Sequence, residues 1–207
     1  MPLLPVRTPA SALPEARFDE VMLRHPVPLP GGVSTLELSI PAIAARALQP
    51  RRIVEIGTAT GRTTINLAYH APDAEVLTLD LPPEAPATAL SSGPDYRALG
   101  LPRPGTLFEG QPEAARIRSV LCSSTTYDWS PLAGTVDLMF IDGAHDLETV
   151  RQDTATARQV MRPGGLVFWH DYGHVAGVTQ ALNELSADLP LVHLTDTMLA
   201  MLRVPEA

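Results

Sequence analysis

Residues 53–61 read Ile-Val-Glu-Ile-Gly-Thr-Ala-Thr-Gly: an apolar run, an acidic residue two positions before a glycine, and a second glycine four positions later. A buried strand that stops at a glycine-rich turn opening a helix has this form. Gly57 and Gly61 carry no Cβ, so the backbone can turn sharply there and a ligand can come close. The spacing differs from the G-x-G-x-x-G of dinucleotide-binding turns, which argues against a nicotinamide cofactor.

The rest of the chain follows the same rhythm. Apolar runs predict strands at 52–56, 75–79 (ending at Asp80), 116–121, 136–141 (ending at Asp142) and 166–169 (ending at His170-Asp171). Helical spacing predicts helices at 34–48, where Pro41 interrupts the pattern or marks a start, and at 61–69, 147–161 and 178–185. Pro163-Gly164-Gly165 is expected to stop the third of these, and 191–194 with 198–204 to form a closing hairpin around Thr195-Asp196-Thr197. Strands alternating with helices imply an α/β fold, a doubly wound and mainly parallel sheet with a C-terminal antiparallel hairpin. Residues 1–33 read as a Pro-rich arm with a short helix around Arg17–Arg24, ahead of a domain at 34–207. Residues 81–113 hold seven prolines and four glycines with little periodicity. We read them as an insertion that either covers a substrate site or merely decorates the surface.

Composition removes several classes. With 207 residues, 45% apolar and 18% charged, the chain supports one sizeable core and no membrane-spanning run. The first residues lack the pattern of a signal peptide, and Cys122 stands alone, so a cytoplasmic location is expected. Cys122 has no triad around it and reads as packing. A net charge of −8 speaks against a nucleic-acid surface. All fifteen basic residues are Arg, which rules out Schiff-base chemistry, a pyridoxal phosphate anchor and a phosphate-loop lysine together.

In doubly wound sheets, ligands sit beyond the carboxyl ends of the strands. The polar residues expected there are Glu55 with Gly57, Asp80, Ser123-Ser124, Asp142 and His170-Asp171. Asp80, 23 residues after Gly57, can accept hydrogen bonds from two ribose hydroxyls. Asp142 can meet an ammonium group, a metal or a substrate hydroxyl, and His145 can be a base or a ligand. Asp142, His170 and Asp171 together suit a divalent cation or, equally, a metal-free acid/base site. Trp129 and Trp169 read as packing residues, with an aromatic near Ser124 also able to flank an adenine.

Val54-Glu55-Ile56-Gly57 through Gly61-Arg62-Thr63-Thr64 open a series of matching elements. Leu77–Asp80, Phe140-Ile141-Asp142-Gly143-Ala144-His145, and Arg162-Pro163-Gly164-Gly165 through His170-Asp171-Tyr172 follow in order. The series resembles class I S-adenosylmethionine-dependent methyltransferases over residues 35–204. It is most similar to a bacterial group of small-molecule O-methyltransferase-like proteins related to catechol O-methyltransferase and the macrocin-type sugar O-methyltransferases. The resemblance implies a Rossmann-like methyltransferase fold in which Glu55, Gly57, Thr58 and Gly61 line the methionine and ribose end of S-adenosylmethionine. It implies that Asp80 holds the ribose, that Ser123 or Ser124 faces the adenine, and that Asp142 lies near the sulfonium and the acceptor. In metal-dependent relatives the counterparts of Asp142 and Asp171 ligate a divalent cation.

The chain departs from that pattern at three points. Ser123-Ser124 replace an acidic residue often found at the adenine position. Tyr172 stands where the catechol enzyme offers an Asn ligand, and no lysine is present to act as base. His145 or His170 then acts as base or supplies the missing ligand. The expected reaction is O-methylation of a small-molecule acceptor, with Asp142, His145 and His170 catalytic and with Asp142, His170 and Asp171 available to Mg²⁺ or a similar ion. No nucleic-acid or membrane partner is expected, and the arm and the insertion each either cap the pocket or join a homodimer. The rival readings are a non-catalytic module that binds S-adenosylmethionine and an NAD-dependent oxidoreductase.

Overall fold

The apolar runs at 53–56, 76–79 and 136–141 are too continuous to be shielded on one side only, and they become the inner strands of a sheet covered on both faces. The computed structural model describes residues 4–28, 32–85, 100 and 103–206. In chain order the elements are β1 (Val6–Arg7), α1 (Pro9–Ala12), α2 (Thr35–Leu48), β2 (Arg52–Ile56), α3 (Arg62–His70), β3 (Glu75–Asp80) and β4 (Ile117–Leu121). They continue with β5 (Val136–Ile141), α4 (Leu147–Val160), β6 (Met161–Trp169), α5 (Ala176–Leu185), β7 (Val192–Leu194) and β8 (Ala200–Arg203). Among the described residues, eight strands lie in the order β1-β7-β8-β6-β5-β2-β3-β4. β8 runs antiparallel to β6 and β7, and every other neighbouring pair is parallel.

Alternating strand residues feed two cores. Ile53, Val76, Leu138, Phe140, Leu166 and Phe168 pack under α2 and α3. Val54, Ile56, Leu79, Met139, Ile141 and Trp169 pack under α4 and α5. Asp137, the polar break in the β5 run, is buried and serves the opposite end of the sheet. It accepts the backbone N–H groups of Arg51 (2.7 Å) and Arg52 (2.8 Å) and pairs with Arg162. Among the described residues, no helix is long and apolar enough to cross a membrane.

Three expectations need correction. No helix forms around Arg17–Arg24, because side chains of the domain take the backbone groups a helix would have paired. Asn66 binds both the N–H and the carbonyl of Arg24, His70 meets the carbonyl of Met22, and Arg46 donates to the carbonyls of Arg17 and Glu20. The short helix lies earlier, at Pro9–Ala12, capped by Thr8. Pro41 neither breaks nor starts α2: the helix runs through it from a Ser34–Glu37 capping box. One backbone bond is forgone there, and burial of Leu38, Ile40, Ala42, Ile43 and Ala44 outweighs it. Pro163-Gly164-Gly165 does not end α4. The helix stops at Val160, and β6 begins at once at Met161, carrying these residues as an irregularity in its pairing with β5.

The first residues join the sheet through β1, where His193 donates to the carbonyl of Pro5 and Thr195 to that of Arg7 (both 2.9 Å). Residues beyond β1 are clamped by buried Arg62, whose guanidinium donates to the carbonyls of His25, Pro26 and Val33. Of the insertion read at 81–113, residues 86–99 and 101–102 lie outside the described residues. Its end returns to the glycine turn: Gly105 donates to Ala59 and Leu107 to Thr60, and the Phe108 ring closes on Gly61 and Gly105.

Candidate active site

Backbone bonds stitch the strand ends together before any side chain is considered. Gly57 N–H donates to the carbonyl of Leu79, Asp142 N–H to that of Ile56, and His170 N–H to that of Ile141. The ends of β2, β3, β5 and β6 therefore lie level. Gly57, at φ +96°, packs so closely on β5 that a Cβ there would sit 2.0 Å from the Asp142 carbonyl oxygen. Its lack of a side chain lets the turn and the Asp142 strand end meet.

Under the turn lies Glu55, fully buried. Its Oε2 accepts from the hydroxyls of Thr64 and, at 2.5 Å, Thr78, and Thr78 in turn meets Thr58 at 2.6 Å. Glu55 thus ties β2, β3 and α3 beneath the turn and has no face open to a pocket. Asp80 fixes the turn from the side, its Oδ2 accepting Ala59 N–H at 2.7 Å and its Oδ1 accepting Leu81 N–H at 2.7 Å. Ala59 takes φ +44° in that arrangement, a left-handed conformation that the Asp80 bond helps hold. The Asp80 carboxylate thus stands at the end of β3, directly beside the glycine turn.

Burial pushes the Glu55 carboxyl up to about 8, against the opposing bonds from Thr64 and Thr78. The folded protein therefore keeps a proton at Glu55 that the unfolded chain releases at its ordinary value near 4.5. This contribution to stability is complete below that value and declines as the pH rises towards 8. Glu55→Gln removes the slope. Urea unfolding at pH 5 and pH 8 should show the variant gaining on the wild type at the higher pH, by on the order of a few kcal/mol. An unchanged gap between the two curves would contradict a buried, protonated Glu55.

Asp142, His145, His170 and Asp171 converge in one cluster. His145 Nε2 lies 3.0 Å from Asp171 Oδ2 and 3.6 Å from Asp142 Oδ1. His170 Nδ1 lies 3.3 Å from Asp142 Oδ1 and 3.4 Å from Asp171 Oδ1. Asp171 adopts φ +65°, which an aspartate tolerates better than most residues, directly after β6. Gly177, at the start of α5, brings that helix against the His145 backbone, where a Cβ would meet the His145 carbonyl at 2.3 Å. Burial disfavours charge on both imidazoles, but the facing carboxylates outweigh it and raise both; the imidazoles in turn hold Asp142 and Asp171 low.

One donor atom from each of Asp142, His170 and Asp171 lies within 4.8 Å of the others. Ligands bound at about 2.1 Å to one ion stand roughly 3 Å apart, and His170 Nδ1, at 3.3 Å and 3.4 Å from the two carboxylates, is close to that spacing. Two carboxylates with an imidazole suit Mn²⁺ or Fe²⁺ better than the all-oxygen preference of Mg²⁺. Tyr172 turns away from the cluster: buried, it donates to Asn183 Oδ1 at 2.8 Å and accepts Leu4 N–H at 3.3 Å.

Ser123 and Ser124 follow β4, two strands out from β2. Ser123 Oγ is engaged with Thr125, and the Ser124 carbonyl accepts Trp129 Nε1 at 2.8 Å. Trp129 and Trp169 are both buried in the core. Sequence reasoning overlooked Asp153, buried on α4; burial lifts it to about 6 against the opposing Ser124 hydroxyl. It also overlooked Glu37, whose Ser34-Thr35-Leu36-Glu37 capping box was a readable signal.

A family model described as a methyltransferase domain matches residues 54–172, more than half of the chain, from β2 to the residue after Asp171. The chain belongs to this methyltransferase family. Methyltransferase str3 of Strobilurus tenacellus is 38% identical over 74 residues, which cover 36% of this chain and 26% of that protein. The match thus spans about a quarter of that relative's length. A putative O-methyltransferase from Klebsiella pneumoniae superposes with a TM-score of 0.62 at 21% identity, covering 89% of this chain and 84% of that one. The O-methyltransferase TomG of Streptomyces achromogenes, involved in tomaymycin synthesis and determined in complex with S-adenosylmethionine, gives 0.60 at 19% identity over 84% and 82% of the chains. At these identities the likeness to the solved structures is one of fold. Within the methyltransferase, the matched span holds the glycine turn and the whole Asp142–Asp171 cluster, while α2 and the β7–β8 hairpin lie outside it.

Proposed function

We propose that this methyltransferase moves the methyl group of S-adenosylmethionine to a hydroxyl oxygen of a small-molecule acceptor, at the Asp142–His145–His170–Asp171 cluster. The observation that carries the reading is the backbone contact between the Gly57 turn and Asp142, which sets the glycine turn directly beside a cluster of acids and imidazoles. The turn from Gly57 through Thr58 to Gly61 borders the donor's methionine end, Asp80 accepts its ribose hydroxyls, and Ser123-Ser124 border the adenine. The fully buried Glu55 supports the turn from below. The end of the insertion is held to the turn at Ala59 and Thr60.

Asp142, His170 and Asp171 would hold a divalent cation, which supplies a lowered pKa for the acceptor hydroxyl. His170 is nearly fully buried, so the proton falls to His145, which Asp171 orients at 3.0 Å. His145 would accept that proton in its neutral form, which a cation held by the facing carboxylates would favour by offsetting their charge. The acceptor oxygen bonds to the methyl carbon as the carbon–sulfonium bond breaks, leaving a neutral thioether and an imidazolium. The chain's main contribution is alignment, since the sulfonium is already an activated donor.

Calorimetric titration with S-adenosylmethionine, S-adenosylhomocysteine and NAD, each with Mn²⁺ and with EDTA, tests the proposal. Micromolar binding of both sulfur nucleotides and none of NAD is expected, with the Mn²⁺ series giving turnover on catechol-like or sugar hydroxyls. Absence of binding by either sulfur nucleotide would refute it. Binding without turnover across many acceptors would favour a non-catalytic module instead.

A further inference from the structure

Glu37 belongs to α2, outside the matched family span, yet it reaches the centre of the site. An ordinary capping-box glutamate sits at the surface of a helix start; this one is buried. Its Oε2 accepts Ser34 N–H at 2.9 Å and its Oε1 accepts Met198 N–H at 2.7 Å. The same Oε2 stands 3.4 Å from His170 Nε2. Met198 in turn accepts Tyr172 N–H at 2.9 Å, so Glu37 is anchored to the segment that carries His170 and Asp171. The imidazole of His170 is therefore spanned: Nε2 faces Glu37, and Nδ1 faces Asp142 and Asp171.

A histidine that binds a metal generally donates its other ring N–H to a carboxylate, which fixes the tautomer and the ring orientation. We propose that Glu37 is the positioning residue for His170, holding Nε2–H so that the Nδ1 lone pair is presented between Asp142 and Asp171 to a divalent cation. This rests on the cation reading of the cluster given above. Glu37 touches neither donor nor acceptor; it acts through His170. One carboxylate then serves two ends: it closes the start of α2 and locks the ligand.

Mn²⁺ alone, titrated into the metal-stripped full chain and followed by the electron paramagnetic signal of the free ion, tests this without any turnover. The wild type should bind one Mn²⁺, and Asp142→Asn none. Glu37→Gln keeps the side-chain length but loses the charge, and should weaken Mn²⁺ about 10- to 100-fold, the usual effect of losing such a partner. Glu37→Asp keeps the charge but withdraws it by one methylene and should weaken binding in the same direction, which decides the matter if Glu37→Gln does not fold. Ser34→Ala removes the other half of the capping box, the Glu37 N–H to Ser34 Oγ bond, and touches no ligand. It should lower the melting temperature and leave Mn²⁺ affinity unchanged. Wild-type affinity in the folded Glu37 variants would overturn the positioning role and leave the cation site standing. Equal weakening by Ser34→Ala would overturn it too, by assigning the effect to the helix start. Failure of the wild type to bind Mn²⁺ in an Asp142-dependent way would remove the cation site and the proposal with it.

Discussion

Asp142→Asn should methylate no acceptor at more than about a thousandth of the wild-type rate, the scale of loss when a preorganised charge leaves an active site. Its fold should be intact. Asparagine matches aspartate in volume, and the contacts that join Asp142 to the glycine turn are made by its backbone, with its N–H on Ile56 and its carbonyl against Gly57. What changes is the charge that Oδ1 presents to His170 Nδ1 at 3.3 Å and to His145 Nε2 at 3.6 Å. The two imidazoles then share Asp171, with Glu37 behind His170, and one of the three proposed cation donors loses its charge. Turnover by coupled detection of S-adenosylhomocysteine, with unfolding monitored on the same sample, separates chemistry from stability. Activity within tenfold of wild type would move the reaction centre elsewhere on the sheet edge.

The strands and the gathering of polar residues at their ends were legible in the sequence because both follow from short-range pattern. A short apolar run of β-branched residues that ends at glycine fits a buried strand, and the polar residue that closes it then lies at that strand's end. Thus β2 and β5 fall where the runs at 52–56 and 136–141 placed them. What the pattern could not carry was long-range pairing. Residues 17–24 have a plausible helical composition, but their backbone partners are Arg46, Asn66 and His70, side chains a linear reading cannot bring near. Glu37 shows the same limit from the other side. Its capping box was visible locally, whereas its approach to His170 depends on α2 crossing the face of the sheet. Glu55 reads the same in sequence whether it faces a ligand or the core. Only the threonines that close on it from α3 and β3 decide that it is sealed below the turn.

Gly57→Ala should cost more stability than any other single methyl group added at a glycine of the turn, and should abolish cofactor binding as well. The added Cβ would meet the Asp142 carbonyl oxygen at 2.0 Å, its carbon at 2.5 Å and Gly143 N at 2.9 Å. All three are backbone atoms of a strand end, so no rotamer change relieves the clash, and φ +96° is itself strained for alanine. Backbone strain of about 1–3 kcal/mol and overpacking of about 1–3 kcal/mol together predict a loss of about 2–6 kcal/mol in urea unfolding. Relief requires the turn and the end of β5 to separate, which parts the proposed donor site from Asp142. S-adenosylhomocysteine affinity should therefore fall by at least about 100-fold, the equivalent of roughly 3 kcal/mol. Gly110→Ala provides the contrast: it has a comparable φ of +70° but nothing within 4 Å of the added atom. It should show backbone strain of about 1–2 kcal/mol alone, with cofactor affinity unchanged. Gly61→Ala should fall between them, because the Phe108 ring it meets at 2.6 Å is a side chain able to shift. Equal losses at positions 57 and 110 would mean that φ alone governs these glycines. The close contact between the turn and Asp142, on which the placement of the donor beside the cluster depends, would then have to be abandoned.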